Sequence, residues 1–127
     1  MPPRLTCLAC IPSGQLAELS FSPGLDTFRP APRQYDALLD IAADRRGCVS
    51  VALEGTLIQG YASFHPPSPP EVWSHDRTGR LIELGAIEVA PAARGQRAAE
   101  QLLEASLSGG RFDDTIVFAT IYVWHFD

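Results

Sequence analysis

The segment from Leu81 to Trp124 constrains the fold of this chain most strongly. Its apolar run Leu81–Val89 predicts a strand, and Ala98–Leu107 carries small and apolar side chains at helical spacing after a proline-containing turn. Two glycines end the predicted helix, and β-branched and aromatic residues then predict a second strand over Thr115–Trp124. The two strands are therefore expected to be parallel and joined by a right-handed crossover.

The rest of the chain adds elements that favour a mixed sheet. The predicted elements before this unit are a strand over Leu5–Ile11, a short helix over Gln15–Phe21, a longer helix from Pro32 that closes at Arg45-Arg46-Gly47, and a hairpin of Cys48–Leu53 with Leu57–Phe64. A proline-rich loop is expected from Pro66 to Gly79, because proline cannot donate to a strand ladder. This order predicts an α+β fold, a mixed α/β sandwich, with residues 1–127 as one domain.

Charge and hydropathy argue against two classes of partner. The formal net charge is −5 and lysine is absent, so the clustered cationic surface of a nucleic-acid binder is not expected. No apolar run reaches the roughly 18–20 residues that a membrane span requires, and no signal-peptide pattern follows the first residues. The default expectation is a cytoplasmic protein.

The three cysteines are expected to be reduced. An odd number argues against a disulfide framework in a chain with enough apolar residues for a core. Cys7 and Cys10 form a Cys-x-x-Cys pair, but no second pair or His-x-x-x-His segment follows to complete a zinc site. We therefore expect buried thiols and no metal. The three histidines, His65, His75 and His125, are expected to be structural or solvated.

The start of the predicted helix at Ala98 is a candidate phosphate site. A helix that follows a strand and a turn presents unpaired N–H groups and the positive end of its dipole. Small residues allow close approach of a ligand, and the guanidinium groups of Arg94 and Arg97 can bind phosphate oxygens in a bidentate manner. A solvated first helical turn is the alternative reading of the same residues.

The segment from Val89 to Ala99 resembles the acetyl-CoA-binding motif of the GNAT family of N-acetyltransferases, Gln/Arg-x-x-Gly-x-Gly/Ala. Arg94 matches its first position and Ala99 its last, whereas Arg97 replaces the central glycine, where it would either crowd the pyrophosphate or add a cation. The resemblance implies a GNAT-like fold, with acetyl-CoA as co-substrate. The residues that it implies for acetyl-CoA binding are Arg94, Gly95, Gln96, Arg97, Ala98 and Ala99, together with the backbone of Ile87 and Val89, which would bond the pantetheine arm.

The same resemblance implies a general base on the preceding strand. Family members that use glutamate place it eleven residues before the Gln/Arg of the motif, and Glu83 has that spacing from Arg94. Partial desolvation among apolar neighbours would make this carboxylate a stronger base. Glu88 is the competing candidate, and in a regular strand it faces the opposite side of the sheet from Glu83, although a bulge would change that.

Five further segments resemble the branch of the family that acts in acetoin utilisation. They are Thr27–Pro30, Ala37–Ala42, Gly60–Phe64, Leu81–Val89 and Trp124–Asp127. This narrower resemblance implies a protein lysine as acceptor, with acetyl-CoA synthetase as the implied protein. Full family members continue past the last predicted strand with a helix and two strands. The chain is therefore expected to be either a fragment of such a domain or a truncated short form, and the short form would leave an unpaired sheet edge that favours a homodimer. A non-catalytic CoA-binding or protein-interaction domain is the alternative.

Overall fold

The computed structural model describes residues 4–67 and 80–119, which form a mixed sheet with helices on both faces. In chain order, the elements are β1 (Thr6–Leu8), α1 (Ser13–Leu16), β2 (Ser20–Phe21), α2 (Ala31–Ala43), β3 (Cys48–Glu54), β4 (Leu57–His65), β5 (Leu81–Val89), a 3₁₀ turn (Pro91–Ala93), α3 (Ala98–Leu107) and β6 (Ile116–Phe118). The predicted mixed α+β class is confirmed.

The strands lie in the order β1-β3-β4-β5-β6, with the short β2 beside β4. The predicted β3–β4 hairpin is antiparallel, and β4 also pairs antiparallel with β5. The strands β5 and β6 are parallel and are joined through α3, as the strand–helix–strand pattern predicted. The sheet therefore changes from antiparallel to parallel pairing at β5, the strand that carries both candidate glutamates.

Two hydrophobic cores lie on the two faces of the sheet. On one face, Val49, Val51 and Tyr61 pack with Leu16 and Leu38 of the first two helices. The other face packs against α3, and its buried residues are Cys48, Ala52, Ala62, Phe64, Ile82 and Leu102. At roughly 25 cal/mol per Å² of apolar surface removed from water, such burial is the main force that holds the helices on the sheet.

The prediction of one helix over Gln15–Phe21 was wrong. The helix α1 covers only Ser13–Leu16, and Ser20–Phe21 instead pairs parallel with the start of β4. The N–H of Ser20 donates to the carbonyl of Thr56 at 2.9 Å, and that of Ser22 donates to Ile58 at 3.1 Å. Tertiary pairing thus overrides a local helical pattern here, as it commonly does in short segments.

The expectation that all cysteines are buried thiols was also wrong. Cys10 and Cys48 are joined by a disulfide, whereas Cys7 is a free thiol whose pKa is raised by burial. The predicted strand Leu5–Ile11 is shorter because Cys10 has φ +48°, a left-handed conformation that ends strand pairing. The Cα atoms of Cys10 and Cys48 are 4.7 Å apart. This contact joins distant segments of the chain, so the number of cysteines in the sequence could not reveal it.

Several predictions fall outside the described residues. They concern most of the loop Pro66–Gly79, the strand after Ala119, and the histidines at positions 75 and 125. Within residues 4–67 and 80–119, no helix is long and apolar enough to cross a membrane.

Candidate active site

An extra residue interrupts β5 at Gly85. Ser63 of β4 is opposite Ala86, whereas the next residue, Phe64, is opposite Leu84, so Gly85 has no partner on β4. This arrangement is a β-bulge, in which two residues of one strand oppose one residue of its neighbour. The bulge reverses the alternation of side chains along β5 at this point.

The bulge places both candidate glutamates on one face of the sheet. Glu83 is paired with His65, and Glu88 is paired with Tyr61. His65 lies four positions after Tyr61 along a regular part of β4, so the two side chains share a face, and their partners on β5 share it too. This face is the one covered by α1 and α2. In a regular strand Glu83 and Glu88 were expected to face opposite sides of the sheet, and the bulge instead places them on the same side.

Glu88 holds together three parts of the chain. Its Oε1 accepts a hydrogen bond from the Tyr61 hydroxyl at 2.8 Å, and its Oε2 accepts one from the backbone N–H of Thr27 at 2.9 Å. Gln34 of α2 donates in turn to the Tyr61 oxygen at 2.9 Å. The carboxylate is only 7 % exposed and both of its oxygens already accept a hydrogen bond. The geometry of Glu88 therefore fits an anchor for the segment before α2 better than a base that meets an acceptor.

The environment of Tyr61 keeps its hydroxyl protonated. The side chain is fully buried, and burial followed by the hydrogen bond to Glu88 raises the pKa of Tyr61 far above its usual range. The hydrogen bond from Gln34 opposes this shift only in part. A neutral phenol can donate a hydrogen bond to Glu88 throughout the physiological pH range.

Glu83 differs from Glu88 in its surroundings. Its side chain is half-buried at the end of β4 and β5, its Oε1 atom is enclosed by protein, and its partners in the two neighbouring strands are His65 and Phe118. Among the described residues, pairing between β5 and β6 ends at this position. Glu83 thus lies at the last β5–β6 pair that residues 80–119 contain, and its role as the base stays a prediction.

Beyond Glu83, the outer edge of β5 presents backbone groups. The N–H of Ala90 donates to the carbonyl of Gln59 on β4 at 2.8 Å. Because backbone groups alternate along a strand, those of Val89 and Ile87 point to the opposite edge. No strand of the described segments pairs with this part of the edge. An extended ligand arm can form hydrogen bonds there, in the manner of an added strand.

The loop after β5 turns back on this edge before α3 begins. Arg94 Nε donates to the carbonyl of Val89 at 3.1 Å, which holds the exposed arginine beside the strand end. Gly95 has φ +89°, a conformation that glycine adopts without strain, and a β-carbon there would meet open space. Arg97 has φ +58° and ψ +30°, which is left-handed helical geometry. The position where the family motif has glycine thus requires a backbone conformation that glycine favours, although the residue here is arginine.

The first turn of α3 has free capacity for an anion. Arg97 is its N-cap, and no side chain caps the helix. The first backbone bond of the helix runs from Gln101 N–H to Arg97 O at 3.0 Å, so the N–H groups of residues 98–100 precede it. The Arg97 side chain turns to Glu100, with 3.0 Å between Nε and Oε2, and the two side chains are 78 % and 68 % exposed. Ala98 and Ala99 add no bulk over these donors, so the residues present fit a pyrophosphate.

The described residues contain no group of three or more His, Cys, Asp or Glu side chains that could hold a metal ion. His65 lies at the end of β4, half-buried, with Nδ1 2.7 Å from the carbonyl of Pro66. Sequence reasoning assigned it no role, and it missed the contact between Thr27 and Glu88. An isolated glycine inside a predicted strand, Gly85, was the available signal for the bulge.

The model of the acetyltransferase (GNAT) family matches residues 15–116, which include the bulged strand, the loop and α3. The chain belongs to the GNAT family. This result confirms the resemblance drawn from Arg94–Ala99 and agrees with the position of that segment between a strand edge and an uncapped helix.

Known GNAT relatives extend the comparison. The chain is 42% identical over 112 residues to the acetoin utilization protein AcuA of Bacillus subtilis strain 168, a match that covers 88% of this chain and 53% of the relative. It is 33% identical to the crystal structure of an acetoin utilization protein from Exiguobacterium sibiricum, with a TM-score of 0.87, and covers 66% of that structure. The chain thus spans about half the length of the curated relative.

The fold is shared with a solved structure of lower sequence identity. The structure of AAC(6')-Iy, in complex with a bisubstrate analogue of CoA, is 16% identical to this chain and has a TM-score of 0.60 over 94% of it. At that identity the likeness concerns the fold alone.

Proposed function

We propose that this chain binds acetyl-CoA and transfers its acetyl group to an amine of a protein lysine. The observation that carries the proposal is the juxtaposition of the outward edge of β5 at Ile87 and Val89 with the uncapped first turn of α3. The first offers hydrogen bonds to a pantetheine arm, and the second offers N–H groups and a helix dipole to a pyrophosphate.

The acceptor that we propose is a lysine of acetyl-CoA synthetase. Identity of 42% to an acetoin utilization protein supports this choice over the many other acceptors of GNAT enzymes. Glu83 is the proposed base because it has the spacing from Arg94 that the family resemblance implies, whereas both oxygens of Glu88 already accept hydrogen bonds. Positioning of the amine and removal of its proton are the main contributions that such a site makes.

Calorimetric titration separates the two halves of the cofactor site. We expect acetyl-CoA to bind, dephospho-CoA to bind more weakly if the 3′-phosphate is also recognised, and S-acetylpantetheine, which lacks the pyrophosphate, to bind far more weakly. Equal affinity for acetyl-CoA and S-acetylpantetheine would remove the α3 terminus as the phosphate site. A ligand present at about 100 times its Kd should also stabilise the fold by about 2.7 kcal/mol.

The variant Ala99→Asp tests the same terminus without loss of fold. Ala99 is exposed in the first turn of α3. An aspartate there should stabilise the helix by about 0.3–1 kcal/mol through its interaction with the helix dipole, but it should repel a phosphate group. We expect unchanged or higher thermal stability and at least tenfold weaker acetyl-CoA binding. Ser108→Asp adds the same charge at the other end of α3 and is the control, with affinity within about twofold of the parent.

A second candidate is a CoA-binding domain without transferase activity. The replacement of the motif glycine by Arg97 favours it. Transfer of labelled acetyl from acetyl-CoA to acetyl-CoA synthetase distinguishes the two, because the non-catalytic domain binds the cofactor and leaves the acceptor unlabelled. In the transferase, Glu83→Gln should reduce turnover at least a hundredfold with little change in cofactor affinity.

A further inference from the structure

His65 faces the bulge of β5 with the Nε2 side of its ring. Its Nδ1 lies 2.7 Å from the carbonyl oxygen of Pro66. A carbonyl can only accept a hydrogen bond, so Nδ1 carries the proton and donates it. In the neutral imidazole, Nε2 therefore has an unshared electron pair, and this nitrogen is the one directed at β5.

The imidazole of His65 fits here because residue 85 is glycine and has no side chain. A β-carbon on Gly85 would overlap Nε2 of His65 and lie 2.7 Å from its Cδ2, so the ring rests on the backbone of the bulge. Glycine inside a strand costs about 0.5–1 kcal/mol relative to alanine. The φ of Gly85 is not in the left-handed range, so space and not conformation requires glycine here.

His65 also has Glu83 as its direct partner across β4 and β5. Directly opposite residues on one face of an antiparallel pair have β-carbons about 4.5–5.5 Å apart, within reach of a carboxylate and an imidazole. Tyr61 and Glu88 form a second polar pair on this face. Tyr61 accepts a hydrogen bond from Gln34, and Glu88 accepts hydrogen bonds from Tyr61 and from the backbone N–H of Thr27. The bulge thus places the titratable pair of Glu83 and His65 on this face of the sheet.

We propose that His65 is the proton-relay residue of this site, a role that rests on the proposed transferase function. Glu83 takes one proton from the acceptor ammonium and passes it to Nε2 of His65, which releases it to solvent. The neutral amine forms a C–N bond with the thioester carbonyl carbon, and the C–S bond breaks with its electron pair on sulfur. The second proton lost by the amine goes to that sulfur, so the products are the amide and the CoA thiol.

The test uses the 127-residue chain with acetyl-CoA and a bacterial acetyl-CoA synthetase as acceptor. His65→Ala should lower kcat about tenfold or more, with acetyl-CoA affinity within about twofold of the parent, because a general acid–base group typically contributes about 10²–10⁴-fold. In a Glu83→Gln background, the same change should have little further effect, since residues that act in one relay are not additive.

Added imidazole should restore much of the activity of His65→Ala. Pyrazole has the same shape but is far less basic, so it should fill the same space without restoring turnover. Equal restoration by both compounds would show a packing role and overturn the relay. Wild-type kcat in His65→Ala would overturn it as well.

Gly85→Ala provides a second variant in which the imidazole is present but displaced. We expect it to lose activity and some stability. Gly85→Ala combined with His65→Ala should regain stability and stay slow, because the next nearest described atom to the β-carbon is Ser63 Oγ at 3.5 Å. Recovery of turnover in this double variant would contradict the relay. Absence of acetyl transfer by the unmodified chain would instead overturn the transferase function itself, a different result from an active chain that tolerates His65→Ala.

Discussion

Replacement of Arg97 by glycine should stabilise this protein, although it removes a charged side chain and an ion pair. Arg97 has φ +58° and ψ +30°, and a left-handed conformation costs an L-residue roughly 1–2 kcal/mol. Glycine removes that strain but has greater freedom in the unfolded chain, which costs about 0.5–1 kcal/mol. The ion pair to Glu100 is highly exposed and contributes only about 0.3 kcal/mol. The net expectation is a gain near 0.5 kcal/mol.

Arg97→Ala is the matched control, because it loses the same ion pair and keeps the strained backbone. It should be slightly less stable than the parent, so the glycine and alanine variants should differ by about 1 kcal/mol. In a domain of this size that difference corresponds to about 3–5 °C in Tm. Urea unfolding followed by circular dichroism measures both values with the cofactor absent. Equal stability of the two variants, or a glycine variant below alanine, would refute the assignment of strain to position 97.

Two further predictions concern buried groups. Because the pKa of Tyr61 is raised in the folded state, its contribution to stability is complete below its ordinary pKa of about 10 and is lost as the pH rises above that value. Tyr61→Phe should make the alkaline decline of the unfolding free energy shallower while lowering stability near neutral pH by about 1–3 kcal/mol, and an unchanged alkaline slope would contradict this. For the Cys10–Cys48 disulfide, whose sequence separation is 38, loop-closure entropy suggests a contribution of up to about 4 kcal/mol. Cys10→Ser should therefore lower Tm substantially, and mass spectrometry that finds three free thiols without reductant would show that the bond does not form.

The sequence predicted the regular parts of this fold because their patterns are long and strongly periodic. The strand Leu81–Val89 and the helix Ala98–Leu107 have the predicted limits, and the hairpin around Gly55 is where its turn residue indicated. Ser20–Phe21 was missed because two residues carry no periodicity, and only their bonds to the start of β4 define the strand.

The parts of the candidate site that are formed by neighbouring residues of the sequence were predictable. The parts that depend on which residues pair across the strands were not. The loop from Arg94 to Ala98 has local signals, so the proposed phosphate site could be drawn from the sequence and the family motif. The disulfide and the contact of Thr27 with Glu88 join residues far apart in the chain, and they depend on the fold. A bulge involves a single residue, so the apolar pattern of β5 does not reveal it. The bulge at Gly85 nevertheless reverses the orientation of Glu83 relative to Glu88.

The extra residue in β5 also limits how this chain can be aligned with other family members. A relative whose β5 has the same number of residues before the proposed phosphate loop but no bulge would direct the carboxylate equivalent to Glu83 toward the α3 side. Spacing along the sequence is therefore not sufficient to transfer the role of a base from one member to another. The cross-strand pairing itself must match. In this chain Ser63 is opposite Ala86 and His65 is opposite Glu83, and a relative needs the same two pairs for its carboxylate to face the same side.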